Sequence, residues 1–375
     1  MKIAVIGMGN MGTAHANCIA NGEIEGMTLS AVCDLAKNRV DSFVERFPDV
    51  LPYTDYDALL KDNVADSVLI AVPHRLHAEM ATKAFNKSMH VLIEKPADIS
   101  VSEVQVLNEI AEKSGKVFGI MFNQRTNPLF NKAREMVRGG ALGELIRTVW
   151  IVTNWYRSQD YYDSGDWRAT WAGEGGGVLI NQAPHNLDLW QWICGMPDSV
   201  TAFCNVGKFH NIEVEDDATL YTKYKNGATG VFITSTGEYP GTNRLEISGS
   251  LGKLVLENGM LKWWRTITEN GECEYTEIKQ DIPETAHKGI LQNFADAVEK
   301  GAELIAPGYE GINELTLSNA AYLSDWKGNV EITLPFDADE FDKRLKELSS
   351  NSHYQSGEAK DITSVEYKKR WAVNW

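Results

Sequence analysis

Apolar and polar positions change rhythm about a third of the way along the chain. Up to about Phe122, short apolar runs alternate with longer stretches of helical period. The runs Lys2–Gly7, Thr28–Cys33, Ser67–Val72, His90–Ile93 and Val117–Met121 predict strands. Leu76–Asn86 and Ser102–Lys113 predict helices between them. Ser100 followed by Glu103, then Val104, Val106, Leu107 and Ile110, has capping-box spacing. Strands separated by helix-length segments imply βαβ units, hence a doubly wound parallel sheet with right-handed crossovers.

Beyond Phe122 the pattern differs. Asn127-Pro128 marks a break, and a helical stretch follows to Gly139-Gly140. From about Val200 apolar and polar residues alternate, with turns between. Asn226-Gly227, Asn258-Gly259 and Asn270-Gly271 each predict a type I′ hairpin, because both residues tolerate positive φ. Leu220–Tyr224 and Ala228–Thr234 form the clearest pair. Helical patterns return at Gly289–Glu299 and Tyr309–Trp326. An antiparallel meander thus follows a parallel sheet. The expected domains are 1–122 and 123–375, the second ending in a polar tail whose Trp371 and Trp375 suggest docking.

The length of 375 residues suits two domains, and 43% hydrophobic with 23% charged residues is ordinary for a globular protein. A net charge of −16 disfavours nucleic acid and anionic membranes as partners. No apolar run reaches the length of a membrane span. The first strand starts at Lys2, which leaves no room for a basic leader. Cys18, Cys33, Cys194, Cys204 and Cys273 include no Cys-x-x-Cys pair, so reduced thiols in a cytoplasmic protein are expected.

Candidate chemistry begins in the first strand. It runs directly into Gly7-Met8-Gly9-Asn10-Met11-Gly12, with helix-compatible residues after it. Gly7 permits the tight turn, Gly9 lets a pyrophosphate approach the backbone, and Gly12 lets helix and strand pack closely. The helix N-terminus offers unpaired N–H groups to the phosphates. Asp34 follows about 20 residues later, where a carboxylate binds the adenosine ribose hydroxyls and repels a 2′-phosphate. NAD is therefore favoured over NADP, although Arg39 lies nearby in sequence and Asp34 also suits a helix N-cap. Glu94-Lys95-Pro96 follows the strand His90–Ile93, at the end that faces ligand in such sheets. A half-buried lysine there suits proton transfer, whereas alone it would read as an exposed loop residue. A third cluster runs from Gly175-Gly176-Gly177 to Pro184, His185 and Asp188. Pro184 fits a first helical turn, His185 and Asp188 then share a face, and histidine is the usual base near neutral pH. A lone helical histidine is usually structural, and the glycines in front bring the functional reading level with it. The glycines imply close backbone approach to something.

Together these residues resemble the glucose–fructose oxidoreductase, inositol dehydrogenase and MocA family of NAD(P)-dependent sugar oxidoreductases. The resemblance takes in the glycine loop, Pro73 with His77, Glu94-Lys95-Pro96, and the glycine run to His185 and Asp188. It extends through Pro240-Gly241 to Arg244, Glu246-Ile247 and Gly249. It implies a Rossmann domain and then an α+β domain with a large, mostly antiparallel open sheet, often used to form dimers or tetramers. It implies Lys95 and His185 as catalytic residues, and Gly7, Gly9, Asn10, Met11, Gly12, Asp34, Pro73, His77, Glu94 and Lys95 as the cofactor site. Two residues depart from the pattern. Asn181 stands where the family often has aspartate, which shifts weight from a carboxylate–His185 relay to Lys95 as proton acceptor. His74 stands where asparagine is common, and His74 with His77 lacks a third ligand for a metal.

Trp150, Trp155, Tyr156, Tyr161, Tyr162, Trp167 and Trp171 crowd one segment with Arg157 and Arg168. Aromatic faces stack on sugar rings and arginines donate to hydroxyls, although such rings equally serve cores and interfaces. Trp155, Tyr156, Arg157, Trp167, Arg168, Asn181 and His185 are the expected substrate residues, with Asn123 and Arg125 reaching the same crevice between domains. The acidic stretch Glu213, Glu215, Asp216 and Asp217 is expected to be a solvated turn. The expected function is NAD-dependent oxidation of a secondary hydroxyl on a sugar, glycoside or cyclitol. A glycosidase working through transient oxidation and a non-catalytic NAD-binding regulator are the alternatives.

Overall fold

A computed structural model describes residues 1–353 apart from Asp166 and Glu269. The expected docking of the tail through Trp371 and Trp375 lies outside the described residues. The chain divides into two compact units, residues 1–126 with 285–312, and residues 127–284 with 313–375.

The first unit is built on β1 (Lys2–Ile6), α1 (Asn10–Ala20), β2 (Thr28–Cys33), α2 (Lys37–Val44), β3 (Leu51–Tyr53), α3 (Tyr56–Asp62) and β4 (Ser67–Ile70). It continues through α4 (His77–Asn86), β5 (His90–Ile93), α5 (Val101–Ser114) and β6 (Phe118–Ile120). The strands form one parallel sheet in the order β3-β2-β1-β4-β5-β6. The order reverses between β1 and β4, so the loops after these strands flank the point where such sheets bind ligand. The predicted strands recur, Thr28–Cys33 and His90–Ile93 with the same ends and the other three trimmed by one or two residues at an end. β3 has no counterpart among them. It is a three-residue edge strand carrying Pro52, and proline is tolerated only at such an edge. Ser100 occupies the N-cap of α5, but its hydroxyl lies 2.9 Å from that of Ser102 and makes no capping bond.

The second unit contains α6 (Pro128–Arg138), β7 (Leu145–Val152), α7 (Gln159–Tyr162), α8 (Val178–Asn181), α9 (Pro184–Cys194), β8 (Ser199–Val206), β9 (Glu215–Lys223) and β10 (Thr229–Ser235). Then come β11 (Asn243–Gly249), β12 (Gly252–Glu257), β13 (Met260–Thr266) and β14 (Cys273–Lys279). Asn127 caps α6 by accepting from Leu129 N–H, with Pro128 in the first turn. Downstream lie α10 (Ala286–Lys300), α11 (Gly311–Trp326), β15 (Ile332–Thr333) and α12 (Ala338–Ser350). α10 belongs to the first unit, where Ile120 N–H bonds the Ala306 carbonyl just beyond it. A boundary at 122 leaves out that returning segment.

The second sheet has nine strands in the order β14-β13-β12-β11-β7-β10-β9-β8-β15, antiparallel except between β7 and β10. Its helix-covered face is apolar: Trp190 of α9 stacks on Phe232 of β10 and donates to Thr148 Oγ1 of β7 at 2.9 Å. Among the Asn-Gly turns, Asn258-Gly259 is type I′, with φ of 52° and 67° in a two-residue loop. At Gly227 and Gly271, φ is 85° and the N–H bonds a carbonyl three residues back, Tyr224 or Thr268. The longer loop at Gly227 is a type I turn followed by a left-handed glycine.

The acidic stretch is not a solvated turn. Glu215 and Asp216 begin β9 and are fully buried. Asp216 accepts from Lys208, Phe209 and His210 N–H and faces His210 Nδ1 at 2.9 Å. Burial alone would raise its carboxyl, but these partners hold it below its ordinary value.

Candidate active site

In the first unit the glycine loop packs as its spacing requires. Gly7 has φ of 90°, and a Cβ there would lie 2.4 Å from the Ala71 carbonyl oxygen. A Cβ on Gly12 would lie 1.7 Å from the Gly7 carbonyl oxygen. Gly9 is the exception, because among the described residues nothing beyond its chain neighbours lies within 4 Å of a Cβ built there. Its missing side chain leaves open space in front of α1. That helix has no side-chain cap and no acidic residue in its first turn. Asn10 and Met11 are exposed on the same turn. These features fit a pyrophosphate.

Asp34 follows β2 immediately and ties its end to the loop. Its Oδ2 accepts from Met8 N–H at 2.7 Å and its Oδ1 from Ala36 N–H at 2.8 Å. Ala36, not Asp34, is the N-cap of α2. Arg39 Nη1 lies 3.5 Å from Asp34 Oδ2 on an exposed side chain. Met8, Thr13, Arg39, Ser42, Phe43 and Arg46 line a recess of about 310 Å³ beside this carboxylate.

Pro73 is exposed at the start of the loop after β4, in front of a 3-10 turn. His77 is fully buried, with Nδ1 2.7 Å from the Pro96 carbonyl and Nε2 2.8 Å from that of Val72. It fastens the loop after β4 to the loop after β5. Burial lowers its pKa against the pull of those carbonyls. With both nitrogens so placed, His77 is not presented to a metal alongside His74.

Lys95 sits half-buried just beyond β5, joined to Pro96 by a cis peptide bond. Glu94 beneath it is buried, with Oε1 2.7 Å from His15 Nε2 and Oε2 accepting from Lys95 N–H at 3.2 Å. The His287 ring lies 5.5 Å from that of His15. Burial would raise the Glu94 carboxyl, but the His15 bond and the charges of His15, His287 and Lys95 hold it at about 2. No motif marks His15 or His287 in the sequence. His15 follows Gly12 by three residues, but only the folded sheet brings it to Glu94.

Asn123 and Arg125 are buried at the end of this unit. Arg125 is committed within it, to an ion pair with Glu310, to the Ile305 carbonyl at 3.3 Å and to the face of Phe122.

In the second unit the triple glycine serves the fold. A Cβ on Gly177 would lie 1.8 Å from the Glu215 carbonyl oxygen, and one on Gly176 2.2 Å from the Tyr322 hydroxyl. The Glu215 carboxylate accepts from Gly177 and Leu179 N–H, both at 2.9 Å, and from Tyr322 Oη at 2.7 Å. It therefore caps α8 from a distance. Burial pushes its pKa up to about 7 against these bonds. Pro184 opens α9 as predicted. From Val178 to Ile193 every residue is buried except Asn181 and His185. Asp188 is buried and accepts from Gln191 Nε2 at 3.1 Å.

The aromatic segment is mostly core. Trp150, Trp155, Tyr161, Tyr162 and Trp171 are buried, Trp150 on β7 itself. Trp155 donates to Asn186 Oδ1 at 2.9 Å, and Trp171 packs edge-on against Tyr322 and Trp326. Tyr156 and Trp167 are half-exposed. Arg157 donates to the Trp155 and Tyr156 carbonyls, and Arg168 lies between the rings of Tyr161 and Trp167. The structure also brings in Glu174, which no sequence motif marks. It is 1% exposed, accepts from Ala169 N–H at 2.8 Å, and is hydrogen-bonded by Asn181 Nδ2.

A parallel sheet with an open glycine loop, followed by a wide mixed sheet, defines a dinucleotide-binding oxidoreductase of two domains. Residues 1–122 match the model of the oxidoreductase family with an NAD-binding Rossmann fold, and residues 130–255 match the GFO/IDH/MocA C-terminal domain. The chain belongs to the GFO/IDH/MocA family, and its first domain is the NAD-binding one. It is 26% identical over 331 residues to the myo-inositol 2-dehydrogenase of Thermotoga maritima, covering 86% of this chain and 95% of that protein. It is 24% identical to the NAD(+) scyllo-inositol 2-dehydrogenase of Bacillus subtilis, covering 86% and 93%. Among solved structures it resembles the WlbA dehydrogenase of Bordetella pertussis in complex with NADH and UDP-GlcNAcA. The TM-score is 0.77 at 24% identity, with 90% and 99% covered. A levoglucosan dehydrogenase in complex with NADH and levoglucosan gives 0.76 at 20%, with 89% and 99% covered. These last two likenesses concern the fold. Among the described residues no helix is long and apolar enough to cross a membrane.

Proposed function

We propose that this protein is an NAD-dependent dehydrogenase that oxidises a secondary hydroxyl of a sugar, glycoside or cyclitol to a ketone. The observation that carries the reading is Lys95, half-buried at the carboxyl end of β5, in the same sheet as the open glycine loop after β1. The inositol dehydrogenases among its relatives support the substrate class.

Gly7, Gly9 and Gly12 with the N-terminus of α1 hold the pyrophosphate, and Asp34 binds the adenosine ribose. Pro73, His77 and Glu94 shape the nicotinamide end. When bound, NAD supplies the hydride acceptor. Lys95, as the free amine, takes the hydroxyl proton, and His185 steadies the oxygen as negative charge grows on it. Tyr156, Arg157, Trp167, Arg168 and Asn181, which keep exposed surface, serve the substrate, while buried Asn123 and Arg125 hold the end of the first unit's sheet rather than reach it. The protein works in the cytoplasm and self-associates into dimers or tetramers through the second sheet, which sedimentation in solution reads directly.

The test is NADH formation, followed by fluorescence, with NAD and NADP in parallel. The panel is myo-inositol, scyllo-inositol, glucose, galactose, glucuronate, levoglucosan and methyl glucosides. Turnover of at least one with NAD, faster than with NADP, is expected. No turnover of any, despite NAD binding, overturns the reading.

A further inference from the structure

The amide of Asn181 has its orientation set by its neighbours. Its nitrogen is hydrogen-bonded to Glu174 Oε1 and lies 3.0 Å from the Tyr161 hydroxyl. A carboxylate only accepts, so the group facing Glu174 is the NH2. Glu174 cannot easily move. Its Oε2 holds Ala169 N–H at 2.8 Å, its Oε1 lies 3.6 Å from Arg168 Nη1, and it is 1% exposed. Tyr161 is held as well, by Arg168 Nη1 at 2.7 Å and Gln182 Nε2 at 3.3 Å. With the NH2 clamped, Asn181 Oδ1 turns the other way.

The backbone stays right-handed through Gln182 (φ −90°, ψ −42°) and Ala183 (φ −90°, ψ 0°). Asn181 and His185, four residues apart, therefore share a face. They are also the two residues of Val178–Ile193 that are not buried. On the face that carries His185, the Asn181 amide thus has its NH2 turned to a buried carboxylate and its oxygen on the opposite side.

Resting on the function proposed above, we infer that Glu174 is a positioning residue for substrate recognition. Acting through Asn181, it commits that side chain to accept a hydrogen bond from a substrate hydroxyl neighbouring the one oxidised. The aspartate common in the family at position 181 would accept in the same way. Here the charge sits one hydrogen bond further back.

Exchanging the two groups tests this. Wild type, Glu174→Gln, Asn181→Asp and the double variant are assayed with NAD on the fastest substrate of the panel above. Glu174→Gln frees the amide to turn and raises KM about tenfold, with kcat within about threefold. Asn181→Asp sets two carboxylates in contact and raises KM further. The double variant restores a clamped acceptor with the charge moved forward, and its KM returns to within about threefold of wild type. A KM for Glu174→Gln within about twofold of wild type, or a double variant no better than Asn181→Asp, overturns the inference. If wild type turns over no member of the panel, the functional reading falls by itself. The side-chain NH2 resonances of Asn181, assigned with Asn181→Asp, then decide the positioning. A shift in Glu174→Gln supports it, and resonances identical to wild type overturn it.

Discussion

Glu94 shows how much of the site a single residue can organise. It lies below Lys95, touches His15, and is buried with its carboxyl held at about 2 against an ordinary 4.5. A carboxyl depressed on folding contributes stability that is complete above about pH 4.5 and lost as pH falls toward 2. The displacement, from 4.5 to about 2, corresponds to at most roughly 3 to 4 kcal/mol. Urea unfolding of wild type and Glu94→Gln at pH 7, 4 and 3 should show the gap between them narrowing with acid. A gap that stays constant removes Glu94 from the acid response. Glu94 and Lys95 were legible in sequence because a strand ends directly before them. His15, His287 and Glu174 were not, since their partners lie far off in the chain or depend on a turn that no motif marks. The tryptophans misled for a related reason. Trp155 and Trp171 have the composition of a sugar platform, yet their bonds to Asn186 and contacts with Tyr322 are tertiary.

At the scale of elements, the strand–loop–helix from β1 to α1 is where sequence and structure agree most closely. The glycines differ in what they make room for. Gly12 makes room for the protein's own backbone, while Gly9 faces open space. Gly12→Ala should therefore lower the melting temperature and weaken NAD binding together, because its Cβ meets the Gly7 carbonyl. Gly9→Ala should melt within about 2 °C of wild type yet weaken NAD at least tenfold, because the obstruction falls on the ligand. Calorimetry and NAD titration separate the two, and an unchanged NAD affinity in Gly9→Ala would contradict the placement of the pyrophosphate. The triple glycine resists such reading. Its spacing signalled close approach, but β9 and Tyr322 make that approach, and only the fold shows it. Likewise β3 escaped the pattern because three residues with a central proline have no period.

On the scale of the molecule, strand alternation with helices, then a meander, was enough to separate a parallel from a mixed sheet. The return of 285–312 to the first unit was not legible, because a helical period does not say which sheet the helix covers. Both units carry a candidate catalytic group, Lys95 in one and His185 in the other. In the function proposed above, Lys95 transfers the proton during NAD-dependent oxidation. Steady-state turnover of Lys95→Ala on the best substrate of the panel, with NAD affinity measured separately, tests it most directly. A loss in kcat of about 10²–10⁴-fold is expected, with NAD affinity within about threefold of wild type. Turnover within about threefold of wild type would contradict it.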